Sequence, residues 1–274
     1  MRPLRPLLAA LLLLGLAACQ PQTASAPTAT SSPVLDRVLE SGQLRVGLSG
    51  GQPPLNMTNK AGEIVGFEVD LVRALAQSMN LELKIVTRPF GELLPALERG
   101  EMDMVISGLT ITAERNARVA FVGPYLISGK SVLTKSETLA NVESSTVLDD
   151  PERRYAVLAG STGEAFVRQV LPKAKLVATP DYDEAVQMVI NDEVDALVAD
   201  FPICQLSVMR YPEAGLSALS TPFTIEPLGI ALPPHDPLFV NLVDNYLTTL
   251  EKTGLLNRFK ARWFSRGPWL AELP

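Results

Sequence analysis

The chain has 274 residues, of which 47% are hydrophobic and 20% charged, a balance typical of a globular protein with one large domain or two small ones. Its net charge of −6 and the lack of any basic run argue against nucleic-acid binding. The single histidine, His235, lies in a proline-rich turn, and the only cysteines are Cys19 and Cys204, which leaves few residues for a Ser-His-Asp triad or a zinc site. We therefore expect no metal ion and no cofactor.

Residues 1–19 predict an export signal. Arg2 and Arg5 give a short basic start, and residues 7–14 form an apolar run too short to cross a bilayer, which needs about 20 residues. The sequence Leu16-Ala17-Ala18-Cys19 resembles a bacterial lipobox, in which the cysteine is lipidated and becomes the mature N-terminus. The alternative is an ordinary cleaved signal with a chance cysteine. Residues 20–35 are rich in Ala, Thr, Ser and Pro and are predicted to be a flexible tether.

Strand and helix patterns alternate after the tether, and they do so twice. In the first half, apolar periodicity predicts strands at 44–48, 81–86 and 104–106 and helices at 67–79 and 92–99. In the second half, it predicts strands at 155–158, 175–177 and 196–198 and helices at 164–171 and 183–191. Residues 238–264 are mostly helical, with a break at Gly254. The alternation predicts an α/β protein whose sheets are covered by helices.

One segment of the first half is repeated in the second. Residues 101–107 (EMDMVIS) resemble residues 193–199 (EVDALVA), and each segment follows a predicted helix. The first is followed by the polar residues of segment 107–110, and the second is followed by Asp200. Ligands gather at the carboxyl ends of strands in open α/β sheets. Two such ends facing each other across a cleft would surround a small polar molecule.

Six motifs occur in the order that is found in one known family. They are Gly66–Leu71, Phe90–Leu97, Ser107–Arg115 with Phe121–Tyr125, Gly160–Gly163, Asp195–Asp200 and Glu226–Ala231, followed by the terminal segment 254–264. Together they resemble the bacterial extracellular solute-binding proteins of the polar amino-acid type, over nearly all of residues 36–264. The resemblance implies a two-lobed periplasmic-binding-protein type II fold with a ligand cleft between the lobes.

The predicted boundaries follow from two crossings between the lobes, near residues 125–129 and 224–228. Lobe 1 would consist of residues 36–127 plus 226–264, and lobe 2 of residues 128–225. Residues 265–274 would be a C-terminal tail.

The resemblance assigns the two charged anchors of the ligand. Arg115 aligns with the family arginine that pairs with the ligand α-carboxylate, and a guanidinium offers two parallel donors that match a carboxylate. The alternative is a surface arginine in a short helix. Asp200 aligns with the acid that receives the α-ammonium, and it is also a candidate N-cap of the helix that begins near Phe201-Pro202. The two roles of Asp200 need not exclude each other.

Further ligand contacts are implied by the same resemblance. Gly108 would offer its carbonyl to the ammonium, and Thr110 its amide or hydroxyl to the carboxylate, with Ser107 in the same segment. Thr162 and Gly163 lie at a predicted helix start, where backbone amides favour anions. They are the expected carboxylate donors of lobe 2.

The predicted side-chain pocket departs from the family pattern. Phe90 is the expected apolar wall for the ligand's carbon chain, or else a core residue. Many members carry an acid and an aromatic residue near the end of the first strand, where this chain reads SGGQPPL at 49–55. Many also carry a charged residue at the position of Ala159. The ligand is therefore left open and need not be an α-amino acid.

The function implied is that of the substrate-binding component of an ABC transporter. It would bind an amino acid or similar small carboxylate by closure of the lobes, and it would act as a monomer with a transporter permease. We expect a periplasmic or extracytoplasmic protein anchored to a membrane through lipidated Cys19, without catalytic residues. One alternative is an enzyme resembling cyclohexadienyl dehydratases, which act on prephenate-like or arogenate-like acids and need a buried proton donor. Another is a stand-alone ligand sensor.

Overall fold

The computed structural model describes residues 32–142 and 144–274, so the predicted leader, Cys19 and nearly all of the tether lie outside the described residues. Within these ranges, none of the helices combines the length and the apolar character that crossing a membrane requires.

The strands are β1 (Gln43–Leu48), β2 (Gly51–Gln52), β3 (Asn56–Thr58), β4 (Ile64–Val65), β5 (Glu82–Thr87), β6 (Met104–Val105), β7 (Ala120–Ser128), β8 (Lys130–Thr134), β9 (Arg154–Leu158), β10 (Lys175–Thr179), β11 (Ala196–Asp200), β12 (Ser217–Ala218) and β13 (Glu226–Leu232). The helices are α1 (Pro33–Ser41), α2 (Phe67–Ser78), α3 (Leu93–Glu98), α4 (Ala113–Asn116), α5 (Glu137–Ala140), α6 (Thr162–Val170), α7 (Tyr182–Ile190), α8 (Phe201–Arg210), α9 (Pro237–Lys252) and α10 (Leu255–Trp263).

Two five-stranded sheets share one layout. Their strand orders are β5-β1-β6-β13-β7 and β10-β9-β11-β8-β12. In each sheet the first three strands are parallel, and the fourth runs antiparallel to the third. We call the part built on the first sheet lobe 1 and the part built on the second sheet lobe 2. The expected α/β fold with two lobes is confirmed.

The chain passes between the two sheets twice, and the two crossings touch. Gly129 is the first crossing, because β7 ends at Ser128 and β8 begins at Lys130. The second crossing lies between β12 and β13 and includes Thr224. A Cβ atom added to Gly129 would lie 1.9 Å from the Thr224 carbonyl oxygen, so a larger residue has no room there. The Lys130 amide also donates to Thr224 Oγ1 at 2.8 Å, which holds the crossings side by side.

Helix α1 begins inside the segment that the sequence predicts as the tether. Residues 33–35, which the sequence assigns to the tether, form the first turn of this helix, and Leu35 is buried in lobe 1. The start is fixed by Pro33 at the first helical position and by Asp236, whose carboxylate accepts from the amides of Val34 and Leu35 at 2.9 and 3.0 Å. The tether therefore ends before Pro33.

The last ten residues pack against lobe 1 and do not trail away from it. Trp269 and Leu273 are buried, and the Trp269 ring lies 5.2 Å from that of Trp263. The Lys60 amide donates to the carbonyl of Glu272 at 2.8 Å. Residues 265–274, predicted as a tail, thus belong to lobe 1 because Trp269 and Leu273 are buried in its hydrophobic core.

A candidate ligand site between the lobes

A cleft of about 670 Å³ lies between the two lobes. This volume is within the range of small-molecule sites in proteins. Its lining includes Phe90, Leu109, Arg115 and Arg118 from lobe 1, Glu226 from the start of β13, and Gly160, Thr162, Glu164, Phe166 and Arg168 from lobe 2. Three of the residues predicted to bind the ligand, Phe90, Arg115 and Thr162, therefore meet in one cleft.

Arg115 contacts both lobes from the short helix α4. Thr112 caps this helix by accepting from the Arg115 amide at 3.2 Å. The guanidinium donates from Nη1 to the Thr110 carbonyl at 3.1 Å and from Nη2 to the Gly160 carbonyl of lobe 2 at 3.3 Å. It also lies over the Phe90 ring, 5.7 Å from its centroid. The predicted carboxylate anchor and the predicted apolar wall are thus in contact.

The other arginines of the cleft have carboxylate partners. Arg118 pairs with Glu98 at 2.6 Å, and Arg168 pairs with Glu164 at 2.7 Å. In the described part of the chain, no carboxylate lies within 4.0 Å of the Arg115 guanidinium. Burial lowers the pKa of Arg115, while nearby carboxylates oppose this shift. Arg115 therefore has N–H donors left for an anion.

A buried lysine joins the two crossings to lobe 2. Lys130 Nζ lies 2.6 Å from Asp200 Oδ1 and 3.0 Å from Glu226 Oε2. The same Glu226 oxygen accepts from Thr110 Oγ1 at 2.7 Å and from Thr162 Oγ1 at 2.8 Å. We call these five residues the Lys130 cluster. Asp200 and Thr110, both predicted to bind the ligand, are thus bonded to groups of the protein itself.

The charges of the Lys130 cluster stabilise one another. Burial lowers the pKa of Lys130, but Asp200 and Glu226 outweigh this effect and raise it overall. Burial raises the pKa of Asp200, and the charge of Lys130 opposes this shift. For Glu226, burial acts to raise the pKa, yet Lys130 and the threonine hydroxyls bring it below its usual value. Lys130 is therefore held as an ammonium ion.

A second buried carboxylate, Glu68, is held by neutral donors. It accepts from the Gly108 amide at 2.7 Å, from Asn56 Nδ2 at 2.6 Å and from the Tyr125 hydroxyl. Asn56 also donates to Ser107 Oγ at 3.3 Å. We call these five residues the Glu68 network. Ser107 is fully buried, and Ser107 and Gly108 lie outside the lining of the cleft. In this geometry the Ser107 hydroxyl is part of the network, and its contact with the ligand stays a prediction.

Helix α6 directs its start towards the cleft. Ser161 caps it by accepting from the Glu164 amide at 3.2 Å, which leaves Thr162 and Gly163 as the free first-turn amides. Gly163 is buried against β11, where an added Cβ atom would lie 3.1 Å from the Val198 carbonyl. Thr162 therefore lines the cleft, whereas Gly163 could contribute only its backbone.

Lys130 and Glu226 are the site residues that sequence reasoning misses. Glu226 enters it only as a member of a motif, and Lys130 does not enter at all. Each opens a strand whose remaining residues are mainly buried, β8 for Lys130 and β13 for Glu226. A charged residue at the start of a buried strand needs a partner. The occurrence of a charge at these two positions is the sequence signal that could have identified both residues.

Known proteins of two kinds are similar to this chain. A cyclohexadienyl dehydratase from Pseudomonas aeruginosa is 30% identical over 90% of this chain and 91% of its own. An ABC transporter arginine-binding protein from Escherichia coli is 27% identical over 81% of this chain and 90% of its own. The crystal structure of a binding component of an ABC transporter from Wolinella succinogenes, complexed with lysine, has a TM-score of 0.79 and 37% identity, covering 84% of this chain and 99% of that one.

Because the relatives include both an enzyme and binding proteins, the absence of enzymatic activity stays a prediction. The family is nevertheless clear, since its model matches residues 44–266, nearly the whole described chain. The resemblance found in the sequence is thereby confirmed, and the chain belongs to the bacterial extracellular solute-binding proteins, family 3.

Proposed function

We propose that this protein is the solute-binding component of an ABC transporter and that Arg115 anchors a small carboxylate between the lobes. The observation that carries the proposal is that Arg115 lines the cleft, lacks a carboxylate partner among the described residues and donates to both lobes. A carboxylate bound to Arg115 would interact with both lobes at once. Binding would therefore shift the population towards the closed form.

Other groups of the cleft fit a small organic anion. The amides of Thr162 and Gly163 at the start of α6 would stabilise its negative charge. Phe90 and Phe166 provide apolar surface on opposite sides of the cleft, one from each lobe. The arginine-binding and lysine-bound relatives support this type of ligand, since both amino acids carry a carboxylate.

The test combines a ligand screen with calorimetry. A thermal-shift screen of amino acids and small organic acids selects the tightest probe, which is then titrated into the wild type and the Arg115→Ala variant. We expect the variant to lose roughly a hundredfold to several thousandfold in affinity, about 3–5 kcal/mol, because the bound carboxylate would be desolvated without its partner. Arg118→Ala is the matched control and should bind like the wild type, because Arg118 is already paired with Glu98. Unchanged affinity in Arg115→Ala would show that the site is misassigned.

We also propose that the protein is exported and anchored to a membrane through lipidated Cys19, where it meets its permease as a monomer. The support is the lipobox-like sequence before Cys19 and the tether that follows. Cys19→Ala should move the protein from the membrane to the soluble fraction in detergent partitioning. Unchanged membrane association would rule out the anchor.

An enzyme is the second candidate, and the dehydratase from Pseudomonas aeruginosa is the relative that favours it. Asp200 adds to the case, because a buried carboxyl group with a raised pKa is a property of proton donors. Incubation of the protein with prephenate and with arogenate, followed by ultraviolet detection of an aromatic product, separates the two functions. We expect no turnover, and product formation would replace transport with catalysis.

A further inference from the structure

We propose that Lys130 and Glu226 form an internal mimic of an amino-acid zwitterion, and that the ligand of the cleft is therefore a small carboxylic acid without an ammonium group. The inference rests on the proposed function, because it names the class of ligand for the same cleft. It rests on the charges and hydrogen bonds of the cleft, where Arg115 is the one lining arginine without a carboxylate partner among the described residues.

The two buried carboxylates of the Lys130 cluster already share a cation of the protein as their partner. Asp200 and Glu226 share the ammonium of Lys130, and their side chains are 4% and 11% exposed. Glu164 accepts from Arg168 at 2.7 Å. Glu114 also lines the cleft, but it is exposed to solvent, where an ion pair contributes little. A ligand ammonium would thus be buried without a free carboxylate, which is costly.

The mimic also uses the hydroxyl donors that a ligand carboxylate would need. Thr110 of lobe 1 and Thr162 of lobe 2 both donate to Glu226 Oε2. Lys130 Nζ lies 3.0 Å from the same oxygen and 2.6 Å from Asp200. Side chains of the protein therefore place a carboxylate and an ammonium next to each other, as the two charged ends of an α-amino acid are placed.

The groups that remain define the ligand. Arg115 keeps unused N–H donors, and the first turn of α6 borders the same cleft at Thr162, so one carboxylate can be bound. The lining also includes the apolar side chains of Phe90, Leu109 and Phe166. This combination suits a carboxylic acid with an apolar body, such as a 2-oxo acid.

Matched pairs of ligands test the inference by calorimetry on the wild-type protein. The probes are phenylpyruvate against phenylalanine and 4-methyl-2-oxopentanoate against leucine, which differ in the ammonium group. We expect each oxo acid to bind at least about tenfold more tightly than its amino acid. An amino acid that binds as tightly as its oxo acid, with affinity dependent on Arg115, overturns this inference alone. If none of the four probes binds while an amino acid from the thermal-shift screen does, with affinity dependent on Arg115, the inference fails and the proposed function stands.

Removing the mimic should reverse the selectivity. The double variant Lys130→Met with Glu226→Leu removes both charges and the oxygen that accepts from the two threonines. It therefore leaves Asp200, Thr110 and Thr162 free for a ligand zwitterion, and we expect its preference to shift towards the amino acids by at least about tenfold. The control is Lys135→Met with Asp192→Asn, which removes an exposed pair whose atoms lie 2.7 Å apart and should keep the wild-type preference. An unchanged preference in a double variant that is folded by circular dichroism contradicts the mimic. If that variant does not fold, the wild-type ligand pairs still decide the outcome.

Discussion

The Glu68 network of lobe 1 and the Lys130 cluster at the crossings bury their carboxylates in different ways. Glu68 is held by a backbone amide, an asparagine and a tyrosine, all neutral donors. Asp200 and Glu226 instead share the charge of Lys130. An unpaired buried charge costs more than an unmade neutral hydrogen bond. The network should therefore tolerate small changes, whereas the cluster depends on Lys130.

Lys130→Met should lower the stability of the protein more than any other change considered below. This change leaves Asp200 and Glu226 buried without their cation, so the free energy of unfolding should fall by about 3–5 kcal/mol. Urea unfolding at neutral pH measures the loss. Lys135→Met is the control, because it breaks an exposed pair with Asp192 and should cost about 0–1 kcal/mol. Equal losses in the two variants would show that Lys130 is not essential to the cluster.

Glu68→Gln should cost less than the loss of Lys130. The NH2 group of the new glutamine faces either Asn56 Nδ2 or the donors of Gly108 and Tyr125. Because two donors then face each other, a buried hydrogen bond is lost, at a cost of about 1–3 kcal/mol. Urea unfolding again measures the change, and Glu63→Gln on the exposed surface should be near neutral. A loss larger than that of Lys130→Met would reverse the comparison between the two sites.

The smallest effect is a pH dependence of the difference between Glu68→Gln and the wild type. Burial raises the pKa of Glu68 above 4.5, although its hydrogen bonds oppose the shift. The folded wild type therefore binds this proton more tightly than the unfolded chain, and the resulting stability is present below pH 4.5 and is lost as the pH rises through the folded pKa. Glutamine does not titrate, so the difference in the free energy of unfolding between the wild type and Glu68→Gln should narrow as the pH rises from about 4 to about 8. A gap that widens would mean that the pKa of Glu68 is lowered.

Local sequence patterns predicted the repeated half-structures because both halves form the same corner. In lobe 1 the Asp103 amide donates to the Arg45 carbonyl at 2.9 Å, and the Arg45 amide donates to the Asp103 carboxylate at 2.8 Å. Asp195 and Arg154 make the same two bonds in lobe 2, also at 2.9 and 2.8 Å. The segments 101–107 and 193–199 look alike because each builds this corner.

The Lys130 cluster could not be predicted in this way. Lys130 and Asp200 are 70 residues apart in the chain, and Thr110 and Glu226 are 116 apart. The crossings bring these side chains into contact, and contacts between residues so far apart in the chain leave no periodic pattern in the local sequence. The family resemblance placed Arg115 and Phe90 in the cleft, but it assigned Asp200 to the ligand because Lys130 had no place in the motif.

The position of β13 bears on the order in which the protein is made. This strand, Glu226–Leu232, lies between β6 and β7 in the first sheet, although it follows every strand of the second sheet in the chain. A ribosome synthesises the N-terminal end first, so lobe 2 has all its strands before lobe 1 receives this one. Lobe 1, which is begun first, is thus completed last. The first sheet of a nascent chain stays incomplete until β13 has emerged.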